Sequence, residues 1–155
     1  MGALTEDELK ELVMHAHGLE LPFVAKGVLS THDATICRKV GTDAIVVSLH
    51  HVRLPFAVPP AMVLPDIKKV SGDMKVFADC SVDDGRDAYK LMALGADAVS
   101  VGRAILPGLL KGGKSPVEKK ITEMNQQLKE LMGYTGVATV RDFDPTVLWY
   151  HGRHL

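Results

Sequence analysis

The strongest constraint on this chain is a grammar repeated between residues 21 and 111: a short, largely apolar run, a polar group at its C-terminal end, then a segment with helical spacing. The runs Leu21 to Ala25, Ala44 to Val47 and Val76 to Ala78 are continuously apolar, the pattern of buried parallel strands, and Ala98 to Val101 is apolar but for Ser100. Four strand-plus-helix units in a row predict a parallel sheet. The runs end at Lys26, at Ser48 with His50, at Asp79 and at Gly102-Arg103. Parallel strands that end on one side bring such residues to a common face, so the four tips are expected to form one site.

The intervening segments carry their own punctuation. Thr5 followed by Glu8 reads as a capping box, and Leu9, Leu12, Val13 and His17 trace one face of a helix that ends near Gly18. Thr31 or Asp33 caps a second helix, through Cys37 and Val40 to Gly41. Leu54 to Pro60 is too rich in proline to be regular. Helical spacing resumes from Pro60 to Val70, with Pro65 either kinking that helix or marking its first turn, and Gly72 ending it. A helix follows from Asp83 to Leu94. After a turn at Lys111-Gly112-Gly113-Lys114, a long amphipathic helix marked by Val117, Ile121, Met124, Leu128, Leu131 and Met132 is expected to end at Gly133 and to pack outside the sheet. Val140 to Leu148 reads as one further short helix, and 150–155 as a frayed end.

With 155 residues, 46% of them hydrophobic, the chain can bury the core of one domain, and residues 1–155 read as a single unit. A net charge of −1, from 18 basic and 19 acidic residues well mixed, gives no electrostatic footprint for nucleic acid or an anionic membrane. A small-molecule or protein partner is expected instead. Cys37 and Cys80 each sit within an apolar element, which suits a reducing compartment. The first ten residues are acidic and helix-forming, and no apolar run approaches the ~18 residues of a membrane span, so a cytoplasmic protein is expected.

Chemically, the strand tips offer a cation in Lys26, an imidazole in His50, guanidinium groups in Arg53 and Arg103, and a carboxylate in Asp79. Glycine lets a phosphate oxygen approach backbone N–H groups and arginine adds a charged planar fork, so Gly102-Arg103 is a candidate phosphate site. Lys26 and Asp79 each close an apolar run, where a charge needs a partner or a ligand. His50 has the side chain suited to acid–base work near neutral pH, although a histidine taken singly is more often structural. Arg53 taken singly reads as a solvated charge. The seven histidines do not form a ligand set: His15 and His17 point to different sides of a helix, and His50 and His51 alternate if extended. Cys80 is read as a small buried hydrophobe rather than a nucleophile.

Taken together, four stretches resemble a known family. They are Pro22-Phe23-Val24-Ala25-Lys26-Gly27-Val28, Asp43 to Arg53, Leu91-Met92-Ala93-Leu94-Gly95-Ala96-Asp97-Ala98-Val99, and Val101-Gly102-Arg103. Over about residues 19 to 140 the chain resembles the FMN-dependent α-hydroxy-acid oxidases and dehydrogenases, the family of glycolate oxidase and lactate oxidase. The resemblance implies an α/β fold, half of a TIM (β/α)8 barrel: four parallel β/α units with an N-terminal helix and C-terminal helices. It implies FMN as cofactor and oxidation of a small 2-hydroxy acid to the 2-oxo acid. Lys26 would lie against the flavin and favour negative charge on it, His50 would be the base, and Arg53 would hold the substrate carboxylate. Ser48 and Asp79 would contact the cofactor, and Gly102 and Arg103 would bind its phosphate.

The departures cluster at the site. The family's Ser-Asn-His-Gly-Gly-Arg reads Ser48-Leu49-His50-His51-Val52-Arg53, replacing two permissive glycines with bulkier residues. Its Asp-Gly-Gly-Ile-Arg reads Asp79-Cys80-Ser81-Val82-Asp83, placing a carboxylate where an arginine would meet phosphate, with Arg86 one helical turn on. Only the C-terminal four of eight barrel strands are represented, which leaves two sheet edges and an apolar inner face uncovered. A homo-oligomer or a complementing half-barrel chain is therefore expected. The alternative is a non-catalytic, degenerate half-barrel that binds flavin weakly or not at all. A third reading, another phosphate-binding barrel, leaves His50 and Arg53 without a role.

Overall fold

The ends of the apolar runs are where register is decided, and the ladder starts later than the first run does. A computed structural model describes residues 4–50, 55–150 and 153–154. In it β1 (Val24–Val28), β2 (Ala44–Val47), β3 (Lys75–Ala78) and β4 (Ala98–Val99) form a parallel sheet in the order β1-β2-β3-β4. Leu21 stays with the preceding helix, its N–H donating to Ala16, so the strand expected from Leu21 begins at Val24. It also runs on through Gly27, where the pairing skips from Lys26↔Val46 to Val28↔Val47. β4 is shorter than expected, because Ser100 and Val101 leave the ladder after one last bond from Ser100 N to Ala78 O.

Helices cover one face of this sheet. Ile45, Val47, Val76 and Ala78 are fully buried, packed with Ala34 and Cys37 of α2 (Thr31–Lys39), Leu64 and Ile67 of α3 (Pro60–Ser71), and Ala88 and Leu91 of α4 (Gly85–Ala93). The opposite face is open: Lys26, Val46, Phe77 and Ala98 stand in one row across the register, half-buried or exposed. The continuous apolar runs are thus covered on one side only, as expected of half a barrel.

Cap chemistry sets the helix starts. α1 (Glu6–Gly18) opens on the capping box, with Thr5 Oγ1 accepting from Glu8 N and the Glu8 carboxylate accepting from Thr5 N. α1 is tied to α2 by Lys39 to Glu6 and to the turn before β2 by His17 to Asp43. Ser30, rather than Thr31 or Asp33, caps α2, and Asp84 caps α4 through bonds from Arg86 N and Asp87 N. Pro60 takes the first turn of α3, so Pro65 lies inside that helix. α5 (Leu106–Gly112) fills the stretch before the expected turn, which shrinks to Gly113.

α6 (Lys114–Thr135) runs past Gly133 and ends at Gly136, whose φ of +73° is the left-handed conformation glycine adopts freely. It packs on α4 at a point with room only for glycine: a Cβ on Gly85 would overlap Met124 O and stand 2.7 Å from Gln127 Cβ. The helix expected over Val140 to Leu148 is reduced to a 3₁₀ turn, Pro145–Val147, because Asp144 caps that turn through Thr146 N. Beyond it, where a frayed end was expected, β5 (Trp149–Tyr150) pairs with β6 (Arg153–His154). No helix among the described residues is long and apolar enough to cross a membrane.

Asp97 joins α3 to the sheet at its N-terminal end, accepting from Val76 N at 2.8 Å and Lys68 Nζ at 2.7 Å, with Lys75 Nζ at 3.7 Å. Burial pushes its carboxyl up, but the bonds from Lys68 and Val76 and the two ammonium charges outweigh this and hold it below the usual carboxylate range. A depressed native pKa contributes stability that is present above the unfolded value, about 3.9, and lost as pH falls through the native one. Asp97→Asn is therefore expected to lower stability by about 1–3 kcal/mol at pH 7 and by less at pH 3, in urea denaturation followed by circular dichroism.

Candidate functional site

The four strand tips converge. Lys26, His50, Asp79, Gly102 and Arg103 line one cavity of about 340 Å³, together with Cys80, Asp83 and Ser100. Lys26 donates from Nζ to the Asp79 carboxylate and, at 2.9 Å, to Ser48 Oγ. Ser48 is fully buried at the end of β2, and its Oγ also accepts from His50 N at 3.2 Å. Asp79 accepts from Cys80 Sγ at 2.9 Å. One ammonium thus ties the tips of β1, β2 and β3 together. Burial pushes the Asp79 carboxyl up, but hydrogen bonds from Cys80, Lys26 and Ser48, with the charge of Lys26, hold it below the usual carboxylate range.

Of the residues singled out in the sequence, Lys26, His50, Asp79, Gly102 and Arg103 share the cavity, and Ser48 supports it from beneath. Arg53 lies outside the described residues, as do His51 and Val52. Cys80 departs from expectation: it is half-buried, lines the cavity and bonds to Asp79, where a small buried hydrophobe was expected. A second, larger cavity of about 1000 Å³ lies toward the other end of the strands, by Lys75, Phe77 and Asp97. Two of its lysines, Lys68 and Lys75, are already engaged by Asp97, and it holds no histidine or cysteine. The imidazole of His50, the thiol of Cys80 and the Gly102-Arg103 pair are gathered at the strand tips instead.

The backbone there is unusual. His50, Cys80 and Ser81 have φ of +48°, +68° and +58°, a conformation that costs a non-glycine residue about 1–3 kcal/mol. Cys80 and Ser81 occupy the positions that are glycine in the resembled motif, so the chain turns there as glycine does while carrying side chains. Composition and periodicity give no sign of this pair; the signal was Asp79-Cys80-Ser81 in the place of Asp-Gly-Gly.

The family model for FMN-dependent dehydrogenase matches residues 1–150. The chain belongs to that family. A 2-hydroxyacid oxidase of Dictyostelium discoideum is 34% identical over 138 residues, which are 88% of this chain and 36% of that protein. An L-lactate oxidase of Lactobacillus jensenii is 40% identical over 124 residues, 79% of this chain and 30% of that one. Among solved structures, a mandelate oxidase variant with a monooxide FMN adduct superimposes with a TM-score of 0.82 at 34% identity, covering 88% of this chain and 43% of that one. The chain spans about a third of the length of these curated relatives and folds as the corresponding part of their barrel, an α/β half-barrel.

For an FMN-dependent dehydrogenase fold, the Lys26–Asp79 pair is the first thing to perturb. Lys26→Met removes the ammonium while keeping much of the stem, so the Asp79 carboxyl is expected to titrate higher than in the unsubstituted chain, read from its ¹³C carboxyl shift between pH 2 and pH 7.

Proposed function

We propose that this chain carries the C-terminal half of a site that uses FMN to oxidise a small 2-hydroxy acid to the 2-oxo acid. The observation that carries the reading is the gathering of Lys26, His50, Asp79, Gly102 and Arg103 around one cavity at the strand tips. The residues present fit the cofactor. At Gly102 a Cβ would meet nothing within 4 Å, so its backbone is open to a phosphate oxygen, and Arg103 follows directly. When bound, FMN supplies a two-electron acceptor.

The roles of the chain's own residues are those the family resemblance implies. Gly102 and Arg103 would hold the phosphate. Asp79 and Ser48 fix the Lys26 ammonium and would offer oxygens to the cofactor, and that ammonium would favour negative charge on the bound flavin. His50 accepts a substrate proton on its imidazole. Arg53 is assigned to the substrate carboxylate from the family resemblance, since it lies outside the described residues.

A second reading, a half-barrel that keeps the scaffold and has lost the cofactor, draws on Asp83. Its carboxylate shares the cavity with Asp79 and repels a phosphate. The visible spectrum separates the two. Reconstituted with FMN and freed of excess, the chain is expected to retain absorbance near ~450 nm. Arg103→Ala is expected to weaken retention by about 1–3 kcal/mol, roughly 5- to 150-fold. A colourless protein selects the second reading, and unchanged retention removes the phosphate role from Arg103.

The open row Lys26, Val46, Phe77 and Ala98, with β1 and β4 as edge strands, supports completion by a second half-barrel. When no complementing half is supplied, another copy meets that face. Light scattering at about 10 μM is expected to give a mass above the 16.8 kDa of one chain. Phe77→Asp is expected to shift it toward one chain, whereas Leu110→Asp, at an 84% exposed position on α5, leaves it unchanged. A single-chain mass for the unsubstituted protein rejects association through this face.

A further inference from the structure

We propose that Gly27 is the positioning residue of His50: its missing side chain forms the socket in which the imidazole is seated. A Cβ built on Gly27 would overlap His50 Nε2 and stand 3.1 Å from Cδ2 and 3.5 Å from Cε1. Those three atoms are its nearest neighbours, so the space beside Gly27 is filled by the imidazole and by nothing closer. The functional weight of the seat rests on the reading of His50 as the proton acceptor; the geometry stands without it.

The seat is built by the irregularity in β1. The ladder pairs Lys26 with Val46 and then Val28 with Val47, leaving Gly27 as the extra residue, with φ of +105°. An inserted residue of this kind re-aims its neighbours, and glycine takes that backbone conformation without strain. Lys26 and Gly27 consequently deliver an ammonium and a socket side by side. The other half of the seat is Ser48, which accepts from Lys26 Nζ and from His50 N and so starts the turn, at φ +48°, that carries the imidazole back to β1. Beyond their ladder bonds, β1 and the turn that follows β2 meet at two further points: ammonium to hydroxyl, and glycine to imidazole.

A side chain at residue 27 therefore has two separable effects, strain in a left-handed backbone and displacement of His50. Gly41 is the internal control. It has φ of +87°, and a Cβ there would come no nearer than 4.0 Å to Val13 Cγ1. Gly41→Ala imposes the backbone strain alone.

The test reads His50 directly, by ¹H–¹³C spectra of its imidazole and by thermal melting, and uses neither FMN nor substrate. Gly41→Ala is expected to lower Tm by about 2–6 °C and leave the His50 signals in place; Gly27→Ala is expected to lower it roughly twice as far and to move them. In a His50→Ala background the loss from Gly27→Ala is expected to fall to that of Gly41→Ala. Equal losses in both backgrounds, or unmoved His50 signals, overturn the proposal. Should Gly27→Ala not fold, the unsubstituted protein decides: a nuclear Overhauser effect between the Gly27 Hα protons and the His50 ring supports the seat, and its absence overturns it. A protein with that contact that stays colourless with FMN keeps the seat and loses the oxidoreductase reading.

Discussion

The mouth of this half-barrel is organised by a single shared ammonium. Lys26 stands on the first strand, bonded both to the buried hydroxyl of Ser48 on the second and to the carboxylate of Asp79 on the third. A lysine and an aspartate at the ends of apolar strands would each be costly alone; together, with Cys80 donating to Asp79 and Ser48 accepting from Lys26, they satisfy one another. The arrangement fixes the tips of three strands relative to each other, and with them the cavity that His50, Gly102 and Arg103 share. A pair engaged in this way holds the cavity's geometry and places charge of both signs on its wall.

The same sheet is finished on one side and unfinished on the other. Ile45, Val47, Val76 and Ala78 are sealed under three helices, while Val46 and Phe77, one residue away along their strands, stand on the open face. Alternation along a strand sends neighbours to opposite faces, so a chain that represents about a third of its relatives' length keeps a complete helix-side core and a bare interior. Half a barrel can thus be well packed on its outer layer while its inner face stays open.

The backbone at the site preserves a glycine-like course through residues that are not glycine. Cys80 and Ser81 both lie in the left-handed region, and His50 does so at the end of the second strand. Such conformations persist only where the surroundings over-determine them, and here the bonds from Cys80 to Asp79 and from His50 N to Ser48 do so. Apart from Glu20, in the turn after α1, the described non-glycine residues with such backbone sit at the strand tips, where the mouth is built.

Local chemistry made much of this legible in advance. The run Ala44 to Val47 is the second strand, residue for residue, and the capping box at Thr5 and Glu8 starts the first helix, because both signals act within a few residues. The convergence of Lys26, His50, Asp79 and Arg103 followed from one rule, that parallel strands end on the same side. Tertiary contacts decided the rest. α6 ran past Gly133, and Gly85 had to be glycine because a neighbouring helix backbone lies against it. Cys80 became a bonded group at the cavity wall, and Gly27 lies against an imidazole from the turn after the next strand. Sequence determines which elements form and which ends of them are polar, since those depend on neighbours in the chain; which side chains finally touch depends on partners tens of residues away, and that only the folded sheet supplies.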